Sequence, residues 1–456
     1  MPATDSRSIA ILGAGITGLV AAHRLVRQGH HVRIFEQSGR AGGAIRTEES
    51  NGWLIESGPN SLLGGEPAVD RLIAELGLSS EILRPRPSSK KRYIVRRGQL
   101  VAAPLSPPAL LRTSLFSFPG KIRILAELSA RRRVRTSDVS LADFMANHFG
   151  QEFVDYAVDP LVSGVYAGNP AKLSARFAFP KLWKIEQTHG SLLRGQIAAA
   201  RERRARGESP PAIFTFAHGV QTLTDALASR LPRDSIILNA SLQAITPGPP
   251  WSVVWQDGAT TRTQSFDAIV LALPAHALAK LRIGALGERP LAALDSIEHP
   301  PVASVFLGYR SDQVAHPLDG FGVLMPSVEK RTALGILFSS SLFSGRAPEA
   351  CVALTVIVGG TRQPHLAELS TEEIIKRVGP DLTQLLGVTG EPVFHRRTFW
   401  PRAIPQYNLG HEHHLAAMAL TERNHPGLFI GGQARDGISV PACVQAGESL
   451  ADRCGA

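Results

Sequence analysis

Hydrophobic and polar positions change period several times along the chain, and those changes mark out its parts. Ile9 to Leu12 form an unbroken apolar run, the pattern of a strand covered on both faces. A glycine turn follows, then the apolar-rich stretch ITGLVAAHRLVRQ, then a second strand-like run from His31 to Phe35. From about 86 to 205 the spacing becomes three and four, most clearly in LADFMANHFGQEFVDYAVDPLVSG, which predicts helices. FTFAHGVQTLTDALASRLP introduces a further helix, and SIILNASLQAI and FDAIVLALPAHAL read as strands within 206–282. Between 283 and 400 the runs VASVFLGY, GFGVLM, ALGILFS and VALTVIV predict an antiparallel sheet. Within 401–456, GLFIGGQARDGISV reads as a buried strand, a glycine turn and the start of a helix.

The first turn carries chemistry. Gly13 sits where only glycine bends without steric cost, Gly15 lets backbone approach a pyrophosphate, and Gly18 lets the helix pack closely on the strand. The helix N-terminus then offers N–H groups to a diphosphate. Glu36 ends the second strand, where its carboxylate suits the two ribose hydroxyls of an adenosine. A second glycine pair, Gly42-Gly43, follows in QSGRAGGAIRTEESNGWLIESGPNS, where NAD-dependent dehydrogenases run straight into the next helix. Free N–H groups of that turn, with Arg40, suit a diphosphate and the far end of a flavin. The segment resembles the GG-doublet flavoproteins of the amine oxidase and phytoene desaturase superfamily, in which the last segment returns over the isoalloxazine. The cofactor implied is FAD.

The fold class expected is therefore α/β: a Rossmann-type FAD-binding domain made of 1–85, 206–282 and 401–456. A mixed α+β substrate domain (283–400) and a helical, membrane-associated subdomain (86–205) are inserted in it. Cofactor contacts are expected from Gly13, Gly15, Ile16, Thr17, Gly18, Glu36, Gln37, Arg40, Gly43 and Ala44. Further contacts are expected from Gly58, Pro59, Asn60, Ser61, Leu242, Trp400, Gly432, Gln433, Ile438, Ser439 and Val440.

Composition narrows the class. With 456 residues, 44% hydrophobic and 19% charged, the chain is globular and long enough for two or three cores. Its three cysteines are odd in number and widely spaced, which excludes a disulfide framework and points to a reducing compartment. No apolar run reaches the roughly twenty residues of a membrane span. The stretch after Arg7 imitates a signal peptide, but its glycines are placed for the dinucleotide turn, so a cytoplasmic protein is expected. The formal charge is +10, with clusters at Arg131, Arg132, Arg133 and Arg135 and at Arg201, Arg203, Arg204 and Arg206. Nucleic acid is not expected, since no recognition motif or stacking aromatics accompany them. Solvated helix faces, an anionic membrane surface and an acidic substrate remain as readings. The membrane reading draws on the apolar, proline-broken PLSPPALLRTSLFSFPGKIRILAELS ahead of the first cluster.

Five further blocks resemble one family, the protoporphyrinogen oxidases of haem and chlorophyll biosynthesis. They are KRYIVRRG, DPLVSGVYAGNPAKLSARFAFPKLWKIEQTHGSLLRG, GFGVLMPS, LGILFSSSLFSGRAP and AIPQYNLGH. With both flavin ends, the resemblance spans nearly the whole chain. It implies oxidation of a porphyrinogen to a porphyrin by three hydride transfers to FAD, with oxygen as acceptor and hydrogen peroxide released. The chemistry is then flavin-borne, with no catalytic side chain and no metal expected. By motif, Arg92 matches an arginine that pairs with a substrate propionate, and Leu324 and Leu337 match leucines that sandwich a pyrrole ring. Asn60 matches an asparagine near flavin and substrate. Ile357 stands where plant relatives carry a stacking phenylalanine, a departure that changes the substrate's pose. The partners implied are a porphyrinogen, molecular oxygen and a ferrochelatase, with a homodimer and a peripheral membrane contact as further expectations.

Other readings stay beside this one. The same fold acting on coproporphyrinogen III would need cations for two more propionates. A non-catalytic flavin- or porphyrin-binding protein conflicts with the intact flavin turns, Arg92 and the leucine pair. An amine oxidase or carotenoid desaturase leaves SGVYAGNP and EQTHGS unexplained. His411, His413 and His414 lack cysteine or carboxylate partners for a metal. His189 reads as a cap or packing residue and Cys443 as a small buried one.

Overall fold

The computed structural model describes residues 6–132, 135–208, 210–284 and 287–455; Arg133, named in the first arginine cluster, lies outside them. Two sheets organise it. The first has five parallel strands in the order Ile236–Ile237, His31–Phe35, Ser8–Leu12, Ala268–Leu271 and Leu428–Ile430. Its apolar strands are covered on both sides, as parallel sheets require. Ile9 and Ile11 pack into one core with the helix Ile16–Arg27, and Ala10 and Leu12 into another with Trp251 and Phe266. The last helix, Val440–Gly455, lies across Ile16–Arg27.

The second sheet has seven strands, in the order Phe394–Trp400, Val302–Arg310, Cys351–Gly359, Gly335–Leu337, Gly320–Leu324, Lys91–Arg96 and Gln99–Ala102. This departs from the sequence reading in two ways. The hairpin 91–102 belongs to this sheet, although the stretch 86–205 reads as helical. The sheet is also mixed, because Gly320–Leu324 runs parallel to Lys91–Arg96 while every other pair is antiparallel. Tyr93, Ile94 and Val95 are buried consecutively, so the strand shows no alternation to read.

One face of this sheet is sealed. Val95, Val305, Val323, Ile336, Val356 and Val358 pack with Ile374, Val378 and Leu382 of the helix Thr371–Leu386. The opposite face turns toward the helical layer of residues 107–205, where Leu324 packs against a cluster that includes Val158 and Val162.

That layer is tied down by charge. Arg362 donates to Met325 O, Ser163 Oγ and Asp159 Oδ2, and Asp159 Oδ2 accepts from the Ser327 N–H. Deeper inside, His148 bridges Glu127 at 2.8 Å and Glu186 at 3.1 Å. Arg135 binds Glu186 through two nitrogens, and Glu127 also accepts the N–H groups of Leu192 and Leu193 that open the helix Leu192–Ala205. Burial alone would push the His148 pKa down, but Glu127 and Glu186 outweigh it and raise the value. Burial would likewise raise both carboxyls, yet their hydrogen bonds, His148 foremost, hold them below the ordinary range. Stability from His148 is thus complete below its ordinary value of about 6.5 and is lost as pH rises through the higher folded value. Stability from the carboxylates is present above about 4.3 and is lost as pH falls through their lowered folded values.

His148→Ala leaves two buried carboxylates with one cation fewer. It is expected to destabilise the helical layer by about 3 kcal/mol. The loss is read as faster amide exchange in 141–149 and 192–205 at slightly acidic pH, with the gap to wild type closing as pH rises; equal protection in both proteins would refute the account.

Candidate active site

The first turn is built by exclusion. Gly13 has φ +105°, and a Cβ on Gly18 would lie 2.0 Å from the Gly13 carbonyl oxygen. The strand and helix therefore meet only with glycine there. Gly15 precedes the helix with no side-chain cap, and a Cβ built on it meets nothing within 4 Å. Open space lies in front of uncapped N–H groups at Ile16, Thr17 and Gly18, the cradle a diphosphate requires.

Glu36 stands beside this cradle. Its Oε2 accepts the Ala14 N–H at 2.9 Å, and Oε1 accepts Ser38 N–H at 2.8 Å and Ser38 Oγ at 2.7 Å. About four acceptor positions exist on a carboxylate, so three are engaged. A second ribose hydroxyl needs the Ser38 hydroxyl to turn away, and Arg40 O, 2.8 Å from Ser38 Oγ, is in place to receive it. Leu242 lies half-buried on the adjoining strand Ala240–Thr246, whose first N–H bonds Glu36 O.

Arg40 is engaged within the turn. Its guanidinium donates to the carbonyls of Ala41, Gly43 and Ile45. The doublet turn leaves these carbonyls converging without helix or strand partners, and a planar five-donor group satisfies them. The turn is seated on the first one through Gly42 N–H to Ala14 O, 2.8 Å. Gly43 and Ala44 are exposed at its crest, and Gln37 is exposed beside it.

The next wall is the segment Gly58-Pro59-Asn60-Ser61, all partly exposed. Trp400 Nε1 donates to Ser57 O at 2.8 Å, which joins the edge of the seven-stranded sheet to this segment. The C-terminal return supplies the last wall. Tyr407 holds it by donating to Gln433 O and accepting the Gly437 N–H at 2.9 Å. Gly432 N–H bonds Asp436 at 2.7 Å, and Ser439 Oγ accepts the Ala442 N–H where the last helix begins at Val440. Ile438 packs on the same helical cluster as Leu324. Cys443 is buried beneath, its thiol pKa pushed up by burial to about 11. His411 stacks on Tyr407 at 4.0 Å, and burial pushes its pKa down to about 4.

The four expected substrate residues share one face of the seven-stranded sheet. Leu324 pairs with Ile94, two residues from Arg92; Leu324 also pairs with Gly335, two residues from Leu337; and Gly335 pairs with Ile357. Partners in register and residues two apart lie on the same side. Leu324, Leu337 and Ile357 are half-buried and Arg92 is exposed. Arg92 lies over the Phe321 ring at 5.5 Å and makes no ion pair among the described residues.

Sequence blocks distant along the chain meet around this face. Gln406 Nε2 donates to Tyr166 O at 2.8 Å, Ser174 N–H to Tyr407 O at 2.8 Å, and Leu409 N–H to Lys172 O at 2.9 Å. AIPQYNLGH and SGVYAGNPAKLS are thus two sides of one joint. His189 is exposed at the end of Pro180–His189. Sequence reasoning passed over Glu56 and Arg346, both buried near Asn60; a charge ending the apolar run Trp53-Leu-Ile was the available signal.

Residues 16–455 match the family of flavin containing amine oxidoreductases, and the chain belongs to that family. It is an FAD flavoprotein, and its relatives narrow the group to porphyrinogen oxidases. It is 35% identical to protoporphyrinogen oxidase 2 of Arabidopsis thaliana, covering 99% of this chain and 94% of the relative. Coproporphyrinogen III oxidase of Bacillus subtilis is 27% identical, with 97% of each covered. A solved chain from Exiguobacterium sp. 255-15, named for protoporphyrinogen oxidase, has a TM-score of 0.83 at 24% identity over 99% of both chains, a likeness of fold.

The residues present fit FAD: an uncapped helix start before open space, a carboxylate at the ribose position, and a C-terminal turn facing the same cleft. When bound, the flavin accepts a hydride. The protein's part is to hold, orient and shield. Gly18→Ala drives a Cβ into a backbone oxygen, which cannot rotate away. FAD affinity is expected to fall at least about tenfold, or 1.4 kcal/mol, measured by flavin fluorescence titration of apoprotein; an unchanged dissociation constant would contradict the packing argument.

Proposed function

We propose that the chain oxidises protoporphyrinogen IX to protoporphyrin IX, removing six electrons in three two-electron transfers to FAD, with molecular oxygen as acceptor. The observation that carries this reading is the shared sheet face. Four strands, from Lys91–Arg96 to Cys351–Gly359, span about 14 Å at the usual inter-strand spacing, the scale of a tetrapyrrole. Leu324, Leu337 and Ile357 give an apolar floor, and Arg92 stands at one edge as a fork for a carboxylate.

Charge supports the substrate with two propionates over the one with four. Arg96 and Arg396 lie on the same face, but Arg96 is paired with Glu152 and Arg396 with Glu48. Among the described residues of that face, Arg92 is the arginine left without a carboxylate.

A peripheral membrane contact on the cytoplasmic side is part of the proposal. No described helix is long and apolar enough to cross a membrane. Leu105, Leu111, Phe118 and Ile122 are nonetheless exposed, Phe118 by 76%, and Arg112 and Lys121 stand among them. Such a face suits the boundary of an anionic bilayer.

Two measurements test these readings. Protoporphyrinogen IX and coproporphyrinogen III are offered side by side in air and porphyrin fluorescence is followed; the first is expected to react faster, and Arg92→Ala to raise its KM about tenfold with flavin content unchanged. An unaltered KM would remove Arg92 from propionate binding, and faster turnover of coproporphyrinogen would reassign the substrate. Phe118→Glu is expected to reduce co-sedimentation with phosphatidylglycerol vesicles severalfold; equal sedimentation would remove the contact.

A further inference from the structure

On the proposed substrate face lies a narrow, partly open pocket with room for about 20 Å³. Its lining includes Asn60, Leu337, Ser339, Thr355, Glu56 and Arg346. The volume is that of a single water; Leu54, Phe306, Leu342 and Phe343 make much of the wall apolar, and Glu56, Asn60, Ser339, Thr355 and Arg346 are the polar residues on it. Thr355 is in register with Leu337, so it stands on the same sheet face, and its hydroxyl bonds Ser339 Oγ at 2.8 Å.

The two charges are buried and do not touch. Glu56 is 6% exposed and Arg346 is 3% exposed, and no ion pair joins them among the described residues. Arg346 donates instead to the carbonyls of Phe216 and Ala217 and to Thr215 Oγ1. Glu56 accepts the Val220 N–H and the Thr47 hydroxyl, each at 2.8 Å, and so keeps acceptor capacity for a water. Among its other charged neighbours, Glu49 pairs with His218 at the surface and Glu48 with Arg396, which leaves Arg346 facing the cavity.

We infer that Glu56 is the proton acceptor of the oxidation, reached from the substrate face through the water-sized cavity it shares with Asn60, Ser339, Thr355 and Arg346. The inference rests on the function proposed above. In each two-electron step a carbon-bound hydrogen leaves as hydride, with its electron pair, to the flavin. A proton leaves without electrons, from a pyrrole nitrogen in two of the three steps and from a meso carbon in the other, and the substrate gains one double bond. That proton crosses the cavity water to the Glu56 carboxylate, which becomes the neutral acid. Reoxidation joins the hydride and one proton to molecular oxygen as hydrogen peroxide, so hydrogen and electrons balance in every turn. Burial raises the Glu56 pKa to about 7, against the pull of the Val220 and Thr47 hydrogen bonds and of Arg346. At that value the group both takes and returns a proton near neutrality.

The test is anaerobic reduction of the flavin-loaded enzyme by porphyrinogen, followed by flavin absorbance between about pH 6 and 8. The wild-type rate is expected to fall below about pH 7, as Glu56 becomes protonated. Glu56→Gln keeps the shape and an acceptor for Val220, and is expected to slow reduction about a hundredfold and to flatten the pH profile at unchanged flavin content. A variant that keeps the acid limb, whatever its speed, overturns the inference, as does a rate within twofold of wild type. Should Glu56→Gln fail to hold flavin, Thr355→Val removes a partner of the water. It is expected to slow reduction about tenfold; an unchanged rate overturns the route. Wild-type flavin that no porphyrinogen reduces defeats the functional reading itself, a result distinct from any behaviour of Glu56.

Discussion

A pleated strand puts every second side chain on the same side, and in the seven-stranded sheet that parity is locked from strand to strand. Ile94 opposes Leu324, Leu324 opposes Gly335, Gly335 opposes Ile357, and Ile357 opposes Ser304. A slip of one residue in any pair would exchange the two faces of that strand. The valines and isoleucines now sealed against the helix Thr371–Leu386 would enter the cleft, and the half-buried leucines would enter a closed core. The apolar core on one side thereby fixes the chemistry offered on the other. Burial of Val305, Ile336, Val356 and their neighbours, each contributing about 2 kcal/mol, holds the register on which Arg92 and its companions depend.

The cleft needs more than this sheet, and the chain supplies the rest by returning. Strand Ser8–Leu12 takes one partner from the adjacent segment and the other, Ala268–Leu271, from beyond the first inserted part. Leu428–Ile430 then adds the outer strand and delivers the turn that Tyr407 clamps. The flavin side and the substrate side meet at defined bonds: Trp400 to Ser57, Gln406 to Tyr166, and Leu324 and Ile438 on one helical cluster. Positions far apart in sequence are thus held relative to one another by short, geometrically specific contacts. Hydride transfer, which tolerates little misplacement of its reacting atoms, requires that.

Much of this was legible because local rules leave visible marks. The turn at Gly13–Gly18 shows in the sequence because no side chain fits, and the C-terminal return shows because a strand and a helix flank its glycines. The parity of Leu324, Leu337 and Ile357 was not legible. It depends on pairing across strands, and the Lys91–Arg96 strand, buried for three residues running, gives no alternating signal. The bonds of Arg40 within its turn were not legible for a related reason, since the carbonyls that accept from it converge only once the turn is closed. Glu127, His148 and Glu186 are three ordinary polar letters until folding brings them into one buried chain of bonds.

The placement of charge follows a consistent division. Charges that hold the framework are paired and saturated: Asp159 with Arg362, Glu186 with Arg135 and His148, Arg96 with Glu152. A buried ion pair of this kind gains little net free energy, yet breaking it is costly, so such pairs act as latches rather than as sources of stability. The charges around the cleft are instead left incomplete. Arg92 has an aromatic ring beneath it and no carboxylate among the described residues, Glu36 keeps part of its capacity, and Glu56 and Arg346 border one small pocket without an ion pair among the described residues. A buried charge without an ionic partner costs stability, so Glu56 and Arg346, set beside a sheet face that carries the free guanidinium of Arg92, have the energetic shape of a site.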